Sequence, residues 1–444
     1  MAGDWREATV IEIASSTRNA LVGGPFGSNL VSRDYVDHGV PVIRGQNMGA
    51  RWVAGEFAFV SPEKAESLEA NLARPGDIVF TQRGTLGQVS LVPDKPFERY
   101  LVSQSQMKVT VDRAIADPLF FYYVFRSAEQ QEYIRQNAIQ TGVPHTNLGI
   151  LRDTRVPLPP LPEQQAISNI LGTLDDKIEL NRRMSETLEA IARAIFKSWF
   201  VDFDPVRTEA EGRDPGLPKE VADLFPDRLE GSEMGKIPAG WTVGGFGDVV
   251  EVLRDQENPL DSPNALFSHY SIPAFDEGQV PKPEDGHSIK SLKFRVPAGV
   301  VLVSKLNPEI ERVWMVDVRP DERPVCSTEF LVMRGRPPFT RGYVFCLARS
   351  PVFRQQIEGL VTGTSKSHQR AQAESVLNLR VVVPPAGFAR AFEHFAELLL
   401  ARTLDCRRES ATLASLRDAL LPKLVSGEVR VKDVKRLAGS AGVA

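Results

Sequence analysis

The sequence predicts a mixed α/β protein: two α/β domains joined by two long antiparallel coiled-coil helices, with one plan written twice as a pseudo-twofold internal repeat. Three observations lead to this fold class. The chain has 444 residues, of which 42% are hydrophobic and 25% charged; this is the composition of folded domains and more length than one hydrophobic core usually supports. Short motifs recur at a nearly constant spacing. Each half of the chain also ends in a run with helical periodicity.

The repeat is visible in short motifs that recur about half a chain apart. Thr141-Gly142 returns as Thr362-Gly363 at an offset of 221, and Arg155-Val156 returns as Arg380-Val381 at an offset of 225. An internal repeat of this length indicates two units built on one plan. Most of the residues between the motifs differ, so we expect a common frame that carries two different surfaces.

Each half ends in an apolar stripe that begins after a proline pair. Apolar residues at steps of three and four are typical of a coiled-coil seam, and proline is acceptable in the first turn of a helix. The two stripes match at a constant offset of 225. The predicted helix–helix seam consists of Ile167, Leu174, Ile178, Leu188, Ile191 and Ile195 in the first stripe and Phe392, Leu399, Leu413, Leu416, Leu420 and Leu424 in the second.

Polar residues interrupt both stripes at the same offset, Asn181 and Ser185 in the first and Cys406 and Ser410 in the second. Polar residues at seam positions usually fix the register of a coiled coil at a cost in stability. One stripe alone would fit a coiled coil between separate chains equally well. Two matched stripes in one chain favour antiparallel pairing within the chain.

These features divide the chain into six segments. In order we expect an α/β domain, a coiled-coil helix, an acidic linker, a second α/β domain, a second helix and a tail, at residues 1–156, 157–204, 205–235, 236–385, 386–430 and 431–444. The net charge is −4, and residues 157–235 hold 9 basic and 16 acidic residues, which indicates that this segment faces protein. There is no basic leader and no apolar run of about 18 residues, so we expect a cytoplasmic protein.

Several glycine-bent polar loops carry side chains suited to DNA. Arginine pairs with guanine and asparagine or glutamine with adenine, and glycine lets a backbone approach phosphates. Taken singly, each loop also fits an ordinary solvated turn; the second Thr-Gly loop is the strongest candidate. The candidate DNA-binding residues are Arg44, Gln46, Asn47, Gln82, Arg83, Thr85, Thr141, Gly142, His145 and Asn147 in the first domain and Ser304, Lys305, Asn307, Thr362, Gly363, Lys366, His368, Gln369 and Arg370 in the second.

The sequence offers no arrangement of residues for catalysis or metal binding. It contains no GxxxxGKS/T, HExxH or GxSxG motif, and its six histidines show no ligand spacing. Cys326, Cys346 and Cys406 lack CxxC spacing and are expected to be reduced and structural. We therefore predict no catalytic residue, no metal and no cofactor in this chain.

Three segments around the first helix carry a family resemblance. Pro157–Gln165 (PLPPLPEQQ), Ile178–Asn181 (IELN) and Ser198–Val206 (SWFVDFDPV) resemble the central conserved region of type I restriction-modification specificity subunits. Ile237–Trp241 and Ser304–Pro308 also look like segments of this family, so the resemblance spans about residues 5–430. The second helix start departs from the pattern, because Pro384-Pro385-Ala386-Gly387 lacks the Glu-Gln pair.

The resemblance implies a function and a set of partners. Residues 1–156 and 236–385 would be target-recognition domains, each reading one half of a split site in double-stranded DNA, with the helix pair as a ruler. The partners would be methyltransferase subunits that use S-adenosylmethionine and a restriction (motor-nuclease) subunit that uses ATP and Mg. The chain itself would catalyse nothing. A non-catalytic coiled-coil scaffold that binds proteins is the alternative.

Overall fold

The computed structural model describes residues 5–139, 144–360 and 369–432. The chain forms two compact units: Met1–Ile178 together with Thr412–Ala444, and Glu179–Ala411. Each unit combines one α/β domain with a part of both long helices. Among the helices of the described residues, none is long and apolar enough to cross a membrane.

The described part of the first unit contains a two-stranded ladder, a four-stranded sheet and a five-stranded sheet. Its strands are β1 (Arg6–Thr9), β2 (Leu21–Gly23), β3 (Tyr35–Val36), β4 (Val40–Ile43), β5 (Ala58–Val60), β6 (Leu72–Ala73), β7 (Ile78–Thr81), β8 (Val89–Leu91), β9 (Tyr100–Val102), β10 (Gln106–Val109) and β11 (Arg155–Leu158). The strand orders are β1-β11, β2-β10-β7-β8 and β3-β5-β4-β9-β6. β4 and β9 run parallel, and the other neighbours run antiparallel.

The helices of the first unit pack against its two larger sheets and lead into the long helix. They are α1 (Val10–Ile13), α2 (Pro62–Ser67), α3 (Pro118–Arg126), α4 (Ala128–Gln136), α5 (Leu148–Asp153) and α6 (Leu161–Lys197), which continues into the second unit. Asp117 caps α3 by accepting the Phe120 N–H at 2.7 Å. The Phe125 ring packs edge-on against Phe80 of the sheet, at a centroid distance of 4.8 Å, so α3 is buried on the sheet.

The second unit follows the same plan. Its helices are α7 (Asp204–Ala210), α8 (Lys219–Ala222), α9 (Phe246–Val249), α10 (Ile272–Asp276), α11 (Arg341–Ala348), α12 (Pro351–Glu358), α13 (Ala373–Leu377) and α14 (Ala386–Val425). Its strands are β12 (Leu229–Ser232), β13 (Gly235–Pro238), β14 (Thr242–Gly245), β15 (Val250–Leu253), β16 (Gln256–Glu257), β17 (Leu266–Tyr270), β18 (Lys282–Asp285), β19 (Lys293–Arg295), β20 (Val300–Ser304), β21 (Val313–Met315), β22 (Pro324–Cys326), β23 (Phe330–Gly335) and β24 (Arg380–Val383).

Strand order confirms the internal repeat. β14-β24 matches the ladder β1-β11, and β15-β23-β20-β21 matches β2-β10-β7-β8. In the five-stranded sheets β18-β17-β22-β19 matches β5-β4-β9-β6, and β17 and β22 form the corresponding parallel pair. The fifth strand differs, because β3 flanks β5 whereas β16 flanks β19. The predicted fold class is therefore correct, and the repeat extends through the sheets as well as the helices.

The two long helices pair antiparallel inside each unit. In the first unit, Ile167 near the start of α6 shares a core with Leu424 near the end of α14. In the second unit, Phe196 near the end of α6 contacts Phe392 near the start of α14, with ring centroids 5.4 Å apart. The two helices therefore pair antiparallel within the chain, as predicted.

The predicted seam is wrong at Ile191 and Leu416, which keep 43% and 47% of their surface exposed. Ile167, Phe392 and Leu424 are buried, and the half-buried predicted positions are Leu174, Ile178, Leu188, Ile195, Leu399, Leu413 and Leu420. The buried line of α6 instead passes through Asn181, Ser185, Glu189, Ala192 and Phe196. The predicted line runs through Leu188, Ile191 and Ile195 instead, one residue earlier in each of these turns.

The long helices are shorter than the predicted segments. Pro157 lies in strand β11, and α6 begins only at Leu161. After Lys197 it continues as a π-helical turn, Ser198–Asp202. α14 ends at Val425, before the predicted end at residue 430. The boundaries of the linker and tail stay predictions.

One carboxylate of α6 is held from two sides in each unit. Asp175 accepts hydrogen bonds from the Tyr123 hydroxyl of α3 at 2.6 Å and from Arg417 Nη1 of α14 at 2.7 Å. Burial, together with the Asp175 charge, raises the pKa of Tyr123, which keeps this hydroxyl a donor. The contact thus joins the α/β domain of the first unit to both long helices.

The corresponding carboxylate of the second unit is Glu189, which is only 8% exposed. It accepts from Arg349 Nη1, just after α11, at 2.6 Å and also from Arg407 of α14. Two arginines on one buried carboxylate compensate its desolvation. Losing the carboxylate would take this anion from Arg407, whereas Arg349 would keep Glu311, which its Nε contacts at 2.6 Å.

Candidate nucleic-acid interface

Several loops of the first unit meet at one edge of its sheets. A turn at residues 103–105, between β9 and β10, connects them. The Ser103 N–H donates to the Ile43 carbonyl at 3.0 Å, and the Gln82 N–H donates to the Ser105 carbonyl at 2.7 Å. The loop after β4 and the loop after β7, which are far apart in the sequence, therefore lie on either side of this turn.

The end of the first Thr-Gly loop joins the same edge. The Thr146 N–H donates to the Gln82 carbonyl at 2.9 Å, and the Gly84 N–H donates to the Pro144 carbonyl at 3.3 Å. Arg83 and His145 face each other as an antiparallel bridge. Thr141 and Gly142, both predicted contacts, lie outside the described residues.

The second unit forms the same three backbone contacts. The Ser327 N–H donates to the Tyr270 carbonyl at 3.0 Å, and the Lys305 N–H donates to the Glu329 carbonyl at 2.9 Å. The Ala371 N–H donates to the Lys305 carbonyl at 2.9 Å. Of the predicted residues in the second Thr-Gly loop, Thr362, Gly363, Lys366 and His368 lie outside the described residues.

We call these two clusters the loop edges. They consist of residues 44–47, 82–85, 103–106 and 144–147 in the first unit and of residues 304–307, 327–330 and 369–371 in the second. The turns at 103–106 and 327–330 were not selected from the sequence. A polar run between two apolar strands, Ser-Gln-Ser-Gln in the first unit, is the signal that could have indicated one of them.

The fold uses Asn47 internally, so its predicted role in DNA contact is wrong. Asn47 is only 3% exposed. Its Oδ1 accepts the Arg44 N–H at 3.0 Å, and its Nδ2 donates to the carbonyls of Ala54 at 3.1 Å and Glu56 at 2.9 Å. The amide that would pair with adenine instead holds the loop in shape.

Ser304 is a second correction, because it is buried with its hydroxyl bonded to the backbone of Leu306. Asn147 is half-buried, and its Oδ1 caps α5 by accepting the Ile150 N–H at 2.9 Å. Serine and asparagine readily form such local bonds. Neither bond can be recognised from residue type alone.

Other predicted side chains of the first loop edge reach solvent. Gln46, Arg83 and Thr85 are exposed, while Gln82 is half-buried. Gln46 Nε2 donates to the Glu56 carbonyl at 3.1 Å, which leaves its Oε1 for other contacts. Arg44 is half-buried, and among the described residues its Nε finds no hydrogen-bond partner.

The second loop edge presents half-buried polar groups and a charged pair. Lys305 and Asn307 are half-buried, and Asn307 adopts a left-handed φ of 48° while its N–H donates to the Gln369 carbonyl at 2.8 Å. Arg370 binds Glu329 with both ends of its guanidinium, at 3.0 and 2.9 Å. The pairing raises the pKa of Arg370 and fixes the plane of its guanidinium.

The sequence is similar to known proteins of one family. The family described as type I restriction modification DNA specificity domain matches residues 32–190. The chain is 23% identical to the specificity subunit of the type I restriction enzyme MjaIX from Methanocaldococcus jannaschii, over 97% of this chain and 95% of that protein. It is 25% identical to the HindI specificity subunit from Haemophilus influenzae, over 80% of this chain and 87% of the relative.

Among solved structures, the S subunit of a type I restriction-modification system from M. genitalium has the same fold. The two chains superpose with a TM-score of 0.54 at 14% identity, over 96% of this chain and 98% of the other. The likeness extends over both units.

Proposed function

The chain belongs to the family of type I restriction-modification specificity subunits, and we propose that it is the subunit that reads DNA for such an enzyme. Each unit reads one half of a bipartite site through its loop edge. The paired helices set the gap between the halves. The chain directs methyltransferase and restriction subunits to the site and performs no chemistry itself.

One observation carries this proposal: the two loop edges share a backbone frame but present different side chains. The three matched backbone bonds place residues 105 and 145 of the first unit where the second has residues 329 and 370. These positions hold Ser105 and His145 in one unit and Glu329 and Arg370 in the other. Two domains that bind different DNA sequences can share one backbone frame, but they need different hydrogen-bond donors and acceptors on it.

The proposal extends to partners and place of action. The methyltransferase subunits would bring S-adenosylmethionine, and the restriction subunit would bring ATP and Mg, so this chain would bind none of them. The enzyme would act on adenine N6 in the cytoplasm, where the DNA is.

The direct test is selection from a random pool of double-stranded DNA. The chain should enrich two short sequence blocks separated by a fixed gap. Binding should weaken steeply with salt, because phosphate contacts release counterions. A protein scaffold would enrich no sequence and would show a flat dependence on salt.

A matched pair of variants localises the contact in the first unit. Arg83 is exposed at the loop edge, whereas Arg113 is exposed at the opposite end of the same sheet, where its Nη2 donates to the Pro75 carbonyl at 3.1 Å. Arg83→Ala should weaken binding to the selected site by about 1–3 kcal/mol if it reads a base. Arg113→Ala should bind as the wild type does. Equal affinities for the two variants would contradict the placement of the interface.

A further inference from the structure

Phe26 is the most exposed large apolar side chain in the described residues, at 82%. No other phenylalanine among these residues is exposed. It follows β2 in the segment Gly23-Gly24-Pro25-Phe26-Gly27 and precedes a turn of 3-10 helix at Gly27–Asn29. A ring that stays in water adds nothing to the stability of the fold.

The backbone below Phe26 is held firmly in place. The Gly24 N–H donates to the Gln106 carbonyl at 2.8 Å, and a side chain at Gly24 would overlap the Ser103 carbonyl. Asn71 Nδ2 donates to the Gly23 carbonyl at 2.7 Å. The approach to Phe26 is therefore fixed by close backbone contacts.

The backbone beyond Phe26 is anchored to the first loop edge. Gln104 Nε2 donates to the carbonyls of Gly27 at 2.6 Å and Leu30 at 3.0 Å, and Leu30 is buried. Gln104 belongs to the turn that joins the loops after β4 and β7. The ring thus projects from the same edge that carries Arg83, on a support fixed from both sides.

The surroundings of Phe26 are polar. Gly27, Ser28 and Asn29 are exposed beside it, so the ring is a single apolar group and not part of a wide apolar patch. Protein interfaces are usually built on contiguous patches with a hydrophobic centre. Proteins that kink DNA, in contrast, insert single apolar side chains, phenylalanine among them, between base steps.

The second unit has a different structure after the matching strand. There β15 leads into β16, whose Glu257 binds Arg323 Nη2 at 2.6 Å and Arg295 Nε at 3.2 Å. The exposed ring is therefore a feature of the first unit and not of the common frame.

From these observations we propose that Phe26 is an apolar wedge that enters the DNA at one base step of the half-site read by the first unit. The ring partly unstacks that step and kinks the duplex there. This inference rests on the proposed function. Phe26 would then make binding depend on how easily that base step deforms. A flexible pyrimidine–purine step is therefore favoured at that position.

The test uses the site selected from the random pool, with 2-aminopurine placed in turn at each position of the first half-site. Wild-type protein should raise its fluorescence at one step, and Phe26→Ala should abolish that change and bind about tenfold more weakly, the range found for aromatic–base contacts. Phe26→Leu should keep most of both effects, because leucine is also a wedge residue. A mismatch at the step should tighten wild-type binding and leave Phe26→Ala unchanged.

Leu266→Ala is the matched control. Leu266 is 62% exposed at the start of β17, at the end of that strand away from the second loop edge. It should alter neither fluorescence nor affinity. The wedge proposal would be wrong if Phe26→Ala bound and unstacked DNA as the wild type does. It would also be wrong if Phe26→Ala lost binding to the partner subunits while its affinity for DNA stayed intact. Failure of the wild type and of every variant to select any sequence would instead overturn the proposed function.

Discussion

The two loop edges differ most where Ser105 and His145 of the first unit correspond to Glu329 and Arg370 of the second. The backbone bonds around these positions match, with lengths of 2.7–3.0 Å in both units. The first edge has a serine and a histidine at these positions, whereas the second holds a bidentate ion pair. The side chains at this edge can therefore change without a change of fold, because the loops are held together by backbone hydrogen bonds.

The contacts that attach each α/β domain to α6 also share an arrangement but differ in their residues. Asp175 is held by Tyr123 and Arg417, and Glu189 by Arg349 and Arg407. The arrangement is common to both units, but the residues are not equivalent in the repeat. These contacts provide the largest expected effects, and the loop edges provide the smaller ones.

Glu189→Ala should have the largest effect on stability. Removing this carboxylate leaves Arg349 and Arg407 without their shared anion, at a cost of about 3–5 kcal/mol. Calorimetry should show a lower melting temperature for the second unit, and Asp175→Ala should lower that of the first. The control is Glu186→Ala on the same helix, whose partner Arg182 is 54% exposed. If Glu189→Ala shifts the melting temperature no more than Glu186→Ala, the buried cluster is not an anchor.

Asn47→Ala should destabilise the first unit by about 1–3 kcal/mol, because the Arg44 N–H and the Ala54 carbonyl lose this partner, while the Glu56 carbonyl keeps only Gln46. The neighbouring Gln46→Ala should leave the melting temperature unchanged, since Gln46 is exposed. Thermal unfolding of both variants checks this difference. Equal melting temperatures would mean that the hydrogen bonds of Asn47 do not stabilise the loop.

Arg370→Ala should weaken DNA binding by about 1–3 kcal/mol if the guanidinium reads a base, with the loss confined to the second half-site. Lys366→Ala should also weaken binding, and a contact to phosphate would weaken all sequences alike. His145→Ala provides the comparison, because its effect should be confined to the first half-site. Titrating each variant against DNA sites mutated in one half measures how much affinity is lost at each half-site. A loss spread over both half-sites would contradict the proposal that each unit reads one half.

Glu329→Gln should have the smallest effect on stability, within about 1 kcal/mol, because the pair is partly exposed. Loss of the negative charge should strengthen binding to DNA slightly while lowering discrimination between bases, since Arg370 is less firmly oriented. Selection from a random pool should show a broader second block. If the selected sequence of the second half-site were unchanged, Glu329 would not be needed to orient Arg370.

The sequence predicted the parts of this fold that depend on periodicity and repetition. The two helices, their antiparallel pairing and the duplicated α/β plan follow from regular apolar spacing and a constant offset. The seam was wrong at Ile191 because Glu189 is buried by two arginines that lie far away in the chain. Long-range ion pairs leave no local pattern.

The loop edges were predictable only in part. Arg83 and Arg370 could be selected by residue type, but the roles of Asn47 and Ser304 depend on hydrogen bonds that only the folded loops define. Phe26 was missed because an apolar residue in a sequence is expected in the core. The glycines on both sides of Phe26 are the one local feature of the sequence that indicates a turn, and so an exposed position, there.

We propose above all that this chain directs methylation to a bipartite site. Mapping N6-methyladenine in the genome that encodes it, with the gene intact and deleted, tests that claim. We expect one methylated motif, made of two short blocks and a fixed gap, to disappear on deletion and to return with the wild-type gene. A methylation pattern that deletion leaves unchanged, or a lost motif that is one uninterrupted block, would contradict it.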